Sequence, residues 1–209
     1  IVSCQAEVGS SFNNLDSILS FAMEAQRGSA VGLRLLGVDS IKTVRSVMTL
    51  PIIGLTKTVY SDSNLVLITP SFEDISKIAD AGADYVAVDA TGRNGFEHIQ
   101  RAKRELNLDI IGDLSEVSEG DKAIMNGCSM FSTALSGYTE KTSIKNTWEP
   151  DFKLLSLLVE NFQLPVLAEG RYWTLDHVKR AMDIGAHAVV IGSAITRPHL
   201  ITEYFGSVF

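Results

Sequence analysis

A glycine among small residues, followed at once by a short apolar run, recurs four times along this 209-residue chain. It appears as Gly28-Ser-Ala-Val-Gly-Leu, Gly82-Ala-Asp-Tyr-Val-Ala-Val, Gly127-Cys-Ser-Met-Phe and Gly185-Ala-His-Ala-Val-Val-Ile. A second phrase alternates with it: Leu50-Pro-Ile-Ile-Gly, Leu108-Asp-Ile-Ile-Gly and Leu164-Pro-Val-Leu-Ala. With the opening Ile1-Val-Ser-Cys there are eight runs, each near the usual strand length of about 5–6 residues. Helix signals separate them. Ser71-Phe-Glu-Asp sets an acidic first turn ahead of Ile75, Ile78 and Ala79. Pro150-Asp precedes apolar residues at 152, 155, 158 and 159, close to the 3.6-residue period. Thr174 reads as an N-cap, with Leu175, Val178, Ala181 and Met182 as the buried stripe behind it. The glycine of the first phrase then falls where each helix ends and the next strand begins, a position suited to a left-handed cap.

Strand, helix, strand, repeated, demands parallel pairing through right-handed crossovers. Eight such units close best as a (β/α)8 TIM barrel of the α/β class, compact beside the ~250 residues typical of that fold. An open doubly wound sheet would need a glycine-rich dinucleotide turn after its first strand, and Cys4-Gln5-Ala6-Glu7 is not one. No linker or shift of composition interrupts the pattern, so residues 1–209 are expected to form a single domain.

Charge and composition narrow the partners. Lys and Arg number 18 against 25 Asp and Glu, a net charge of −7. The densest basic stretch, Arg101, Lys103 and Arg104, is flanked by Glu97 and Glu105, so no stripe suits a nucleic acid. The longest apolar runs, such as 188–191, fall far short of the ~20 residues that cross a bilayer, and no membrane partner is expected. Cys4 and Cys128 lie far apart in apolar or small-residue stretches, as buried thiols rather than a bridge. With no signal-peptide pattern at the start, the expected location is cytoplasmic.

In a barrel the chemistry gathers where the strands end. The first polar residues after the eight runs are Ser3 and Gln5; Arg34; Lys57; Asp89; Asp113; Ser132 and Thr133; Glu169 and Arg171; Gly192 and Ser193. Burying such charges without use would cost several kcal/mol, roughly, for each unpaired ion. Glu169-Gly170-Arg171 and Ile191-Gly192-Ser193-Ala194, after the seventh and eighth runs, have the character of a phosphate site, with Arg197 four residues on as a bidentate donor. Lys57 ends an otherwise apolar strand. In a concave site it would be desolvated and able to act as a base or Schiff-base nucleophile. Glu169 is either aimed at substrate hydroxyls or shares a proton with that lysine. His98, His177, His187 and His199 fall in helices, at the base of the eighth strand and in the last loop; as surface or capping residues they leave the site metal-free.

These residues resemble a known family. Ile1-Val-Ser-Cys-Gln-Ala, Pro51-Ile-Ile-Gly-Leu-Thr-Lys, Leu135-Ser-Gly-Tyr-Thr, Leu167-Ala-Glu-Gly-Arg and Ile191-Gly-Ser-Ala-Ile-Thr-Arg-Pro are similar to the N-acetylmannosamine-6-phosphate 2-epimerases, in order, from residue 1 to about residue 202. The resemblance implies a TIM-barrel isomerase of sialic acid and amino sugar breakdown. It implies interconversion of N-acetylmannosamine 6-phosphate and N-acetylglucosamine 6-phosphate by proton removal and return at C2, without cofactor. By it, Lys57 and Glu169 are catalytic, and Gln5, Arg34, Asp113 and Arg171 bind substrate. Gly170, Gly192, Ser193 and Arg197 surround the phosphate. Two segments depart from the pattern: Ile110-Ile-Gly-Asp-Leu-Ser-Glu, and the short loop Gly92-Arg-Asn-Gly. Two rival readings stand beside it, a Schiff-base aldolase using Lys57 and a non-catalytic phosphosugar sensor. Oligomeric state is not legible in the sequence, and a homodimer stays open.

Overall fold

The computed structural model describes residues 1–60, 65–143 and 148–208. Its main sheet has eight parallel strands in the order β1 (Val2–Cys4), β2 (Leu33–Leu36), β3 (Ile52–Leu55), β6 (Tyr85–Asp89), β7 (Asp109–Asp113), β8 (Met130–Ser132), β9 (Val166–Glu169) and β10 (Ala188–Val190). The ring closes where Val2 bridges Ile191, through Ser3 N–H to Ile191 O at 2.8 Å. All eight expected runs are barrel strands. Two further strands, β4 (Lys57–Tyr60) and β5 (Leu65–Ile68), pair antiparallel as an arm outside the ring. Lys57 therefore does not end β3. Thr56 breaks the strand, and Lys57 opens the arm.

Helices follow the strands: α1 (Leu15–Arg27), α2 (Val38–Arg45), α3 (Phe72–Asp80), α4 (Glu97–Glu105), α5 (Gly120–Met125), α6 (Phe152–Asn161), α7 (Leu175–Ile184), α8 (Ser193–Thr196) and α9 (Pro198–Gly206). The cap expected at Thr174 is in place, and Ser71 and Asp151 cap their helices in the same way. Ser71, Asp151 and Thr174 accept backbone N–H groups of Asp74, Leu154 and His177. The buried stripe of α7 is narrower than the sequence suggests. Ala181 is buried and Val178 and Ile184 pack against the core, whereas Leu175 and Met182 are exposed. Both lie off the line that faces the sheet. Three of the four cap glycines, Gly82, Gly127 and Gly185, have φ of +100°, +110° and +109°. After α1 the left-handed residue is instead Ser29, at +64°, while Gly28 keeps φ −79°.

Strand alternation divides the core in two. Ile53, Leu55, Ala87, Ile111, Leu167 and Val190 fill the barrel interior. Val2, Cys4, Leu33, Leu35, Ile52, Val86, Val88, Ile110, Phe131, Val166 and Ala168 face the helices. Cys4 and Cys128 are both free and buried. No helix among the described residues is long and apolar enough to cross a membrane.

Candidate active site

The same alternation assembles the site. Leu33 and Leu35 face the helices, so Arg34 between them points inward. Ser3, Ser132 and Glu169 alternate likewise with outward Val2, Phe131 and Ala168, and Asp113 follows inward Ile111 by two residues. Arg34 and Asp113 are 3% and 0% exposed. The guanidinium donates from Nη1 to Asp113 Oδ1 at 3.3 Å and from Nη2 to Oδ2 at 2.6 Å. Nη1 also meets Glu169 Oε2 at 3.1 Å. Such bidentate, charge-assisted contacts fix both partners in one plane. Glu169 additionally accepts from Ser132 Oγ at 3.2 Å. Burial pushes the Glu169 carboxyl above its usual range, against the opposing pull of Arg34, whose charge is already shared with Asp113.

Lys57 has a different partner. Its Nζ donates to Gln5 Oε1 at 2.8 Å, and Gln5 Nε2 in turn donates to Ser3 Oγ at 2.9 Å. Burial lowers the lysine pKa. Arg34 and Arg197 lower it further, against the attraction of Glu169 and Asp113. Among the described residues the ammonium is thus held by a neutral amide, while Glu169 turns to Arg34 and Ser132. The two groups form separate stations, one at the β3–β4 junction and one at the end of β9, on different sides of the barrel mouth.

The rim after β9 and β10 has the expected glycines. Gly170 at φ +102° and Arg171 at +64° turn the chain away from the sheet. In α8, Ile195 and Thr196 N–H both bond Gly192 O at 2.9 Å. The N–H groups of Ser193 and Ala194, in its first turn, come ahead of any intrahelical acceptor. Arg171 is occupied, with Nε on Glu149 O at 2.6 Å and Nη1 on Ser136 O at 2.7 Å. Arg197 pairs with Glu7 from the β1–α1 loop at 2.7 Å.

Gln5, Arg34, Lys57, Asp113, Glu169, Gly170, Arg171, Gly192, Ser193 and Arg197 all line one cavity of ≈ 420 Å³. Arg93, Tyr138 and Trp173 share its wall and were not singled out from the sequence. Arg93 is held by Asp89, the inward residue ending β6, and by Thr91 Oγ1 at 2.9 Å. The readable signal was its four-residue spacing from a strand-end aspartate. The histidines are peripheral, but His98 is buried in α4 rather than on the surface. His177 does cap, its Nδ1 accepting Trp173 N–H at 3.4 Å. Among the described residues no three His, Cys, Asp or Glu side chains converge on a common point.

Comparison with known proteins places this geometry in context. A family model described as "Putative N-acetylmannosamine-6-phosphate epimerase" matches residues 18–208. A relative from Caldanaerobacter subterraneus subsp. tengcongensis, named "Putative N-acetylmannosamine-6-phosphate 2-epimerase", is 38% identical over 212 residues, covering 98% of this chain and 88% of its own. The solved N-acetylmannosamine-6-phosphate 2-epimerase from Clostridium perfringens superposes with a TM-score of 0.90 at 34% identity, covering 100% of this chain and 92% of that one. Thiamine phosphate pyrophosphorylase from Pyrococcus furiosus, at TM-score 0.64 and 15% identity over 93% of this chain and 85% of that one, shares the fold alone.

Proposed function

The chain belongs to the N-acetylmannosamine-6-phosphate epimerase family, and from that premise we propose how its cavity carries out the reaction. The protein is an isomerase that interconverts N-acetylmannosamine 6-phosphate and N-acetylglucosamine 6-phosphate at C2, in the breakdown of amino sugars. The observation that carries the assignment of roles is the separation of Lys57, on a neutral amide with a lowered pKa, from Glu169, on Arg34 with a raised one.

Ring opening exposes the C1 aldehyde and acidifies the neighbouring C2–H. Neutral Lys57 takes that proton, becoming an ammonium, and the electron pair moves into an enolate. Glu169 in its protonated form, which burial favours, returns a proton to the other face from across the barrel, and solvent exchange resets both groups. Positioned acid–base groups of this kind are worth about 10²–10⁴-fold. Gln5, Arg34 and Asp113 orient the sugar oxygens and amide, and Arg171 braces the wall. Gly170, Gly192, Ser193 and Arg197 hold the phosphate, whose remote binding energy positions C2. The scheme requires no cofactor. Two free buried thiols suit a reducing cytoplasm.

Incubation with each epimer in deuterated water, watching C2, tests this. Lys57→Ala is expected to lose exchange from the epimer whose proton it takes while still binding phosphosugar. Glu169→Gln is expected to exchange that same proton without epimerising. Undiminished exchange in Lys57→Ala would remove Lys57 as the base, and covalent trapping by borohydride would favour the aldolase reading.

A further inference from the structure

Three buried threonine hydroxyls stand where the top of the barrel loses ladder partners. The most complete case is Thr133, 3% exposed, immediately after β8. Its N–H makes a last regular bond to Leu167 O at 3.1 Å. The chain then leaves the sheet, as Ala134 N–H turns to Ser132 Oγ and Leu135 N–H to Leu114 O. A continued parallel ladder would offer Glu169 N–H a backbone carbonyl. Instead the Thr133 hydroxyl accepts that N–H at 2.9 Å and donates to Glu169 O at 2.7 Å. One side chain thus satisfies both backbone groups of Glu169, directly before two left-handed residues, Gly170 and Arg171. The same device recurs beside Lys57, where Thr69 Oγ1 accepts Thr56 N–H at 3.1 Å. It recurs again at β1, where Thr196 Oγ1 donates to Ser3 O at 3.2 Å.

We infer that Thr133 is a positioning residue for the reaction, its hydroxyl fixing the Glu169 backbone so that the carboxyl meets C2 at the correct face. Buried backbone groups must be paired. Without the hydroxyl, the Glu169 peptide loses two partners at the point where the chain is freest to turn. Thr133 itself does not line the cavity, so its effect falls on turnover rather than on substrate affinity.

The inference rests on the reading of Glu169 given above, and the test separates the two. Thr133→Val keeps the shape and removes the hydroxyl; Thr133→Ser keeps the hydroxyl. Thr133→Val is expected to lower kcat about 10–100-fold, the scale of a 1 Å misplacement of a reacting group, with KM little changed. Thr133→Ser is expected to restore most of the turnover. Wild-type kcat in Thr133→Val alongside an epimerisation-dead Glu169→Gln overturns the positioning role alone. So does a Thr133→Ser variant as slow as the valine, or a loss confined to KM. Normal epimerisation by Glu169→Gln overturns both readings. Folding is checked by circular dichroism. If the valine variant does not fold, Thr133→Cys replaces it, and wild-type kcat there counts against the inference.

Discussion

At the scale of single residues, the site depends on how little water reaches it. Lys57 would titrate near 10.5 in solvent; burial, then Arg34 and Arg197, bring it lower, and burial raises Glu169 above 4.5. The scheme needs Lys57 neutral and Glu169 protonated. The kcat/KM profile should therefore be bell-shaped, its inflections drawn in from both reference values. Rising pH deprotonates the lysine, so its inflection lies below 10.5. Replacing Arg197 with Gln removes one of the charges that depress it, and should move that inflection to higher pH. An unmoved profile would show that Arg197 does not act on Lys57. Arg34 and Asp113 supply the structural counterpart. Asp113→Ala leaves a guanidinium buried with its bidentate partner gone, and should cost about 3–5 kcal/mol in denaturant unfolding. The types of these residues were legible, because each is a polar group ending an apolar run. Their pairing was not, since Lys57 and Glu169 are 112 positions apart in sequence and only their partners, Gln5 and Arg34, show that they stand separately.

At the scale of elements, caps and close approaches behave as local chemistry predicts. Thr174 accepts His177 N–H at 3.1 Å, and Thr174→Ala should destabilise the protein by ~1 kcal/mol. Gly54 in β3 is more demanding. A Cβ there would lie 2.5 Å from Ile78 Cγ2, 2.8 Å from Ile41 Cδ1 and 2.9 Å from Ala83 Cβ. Gly54→Ala should therefore cost about 1–3 kcal/mol by overpacking, read as a lower urea midpoint at unchanged slope. The arm of β4 and β5 was the element the sequence concealed. Lys57-Thr-Val-Tyr has the same β-branched character as a barrel strand, and nothing in its composition says that it pairs with 65–68 instead of the ring. What sends it outward is the break at Thr56, held by Thr69 N–H to Thr56 O at 3.0 Å. The α7 stripe failed for a related reason. Leu175 and Met182 are apolar enough to be buried, but the helix meets the sheet along Val178, Ala181 and Ile184.

At the scale of the molecule, a negatively charged chain encloses a cavity lined by Arg34, Lys57, Arg93, Arg171 and Arg197, offset within it by Asp113, Glu169 and Glu140. Its whole surface disfavours polyanions while the cavity suits one small anion. The sequence by itself determined the barrel, because eight short runs punctuated by glycines and separated by capped helices admit few other closures. It also determined which residues reach the mouth, because the two-residue period of a strand fixes the side on which each residue falls. Only the tertiary structure decided how those residues are partnered. The alignment of β1, β2 and β3 brings Gln5 to Lys57, and the pairing of β8 with β9 brings Thr133 to the Glu169 backbone. Such contacts depend on distances across the ring, set by the register of every strand between them, and no local run of residues encodes that sum.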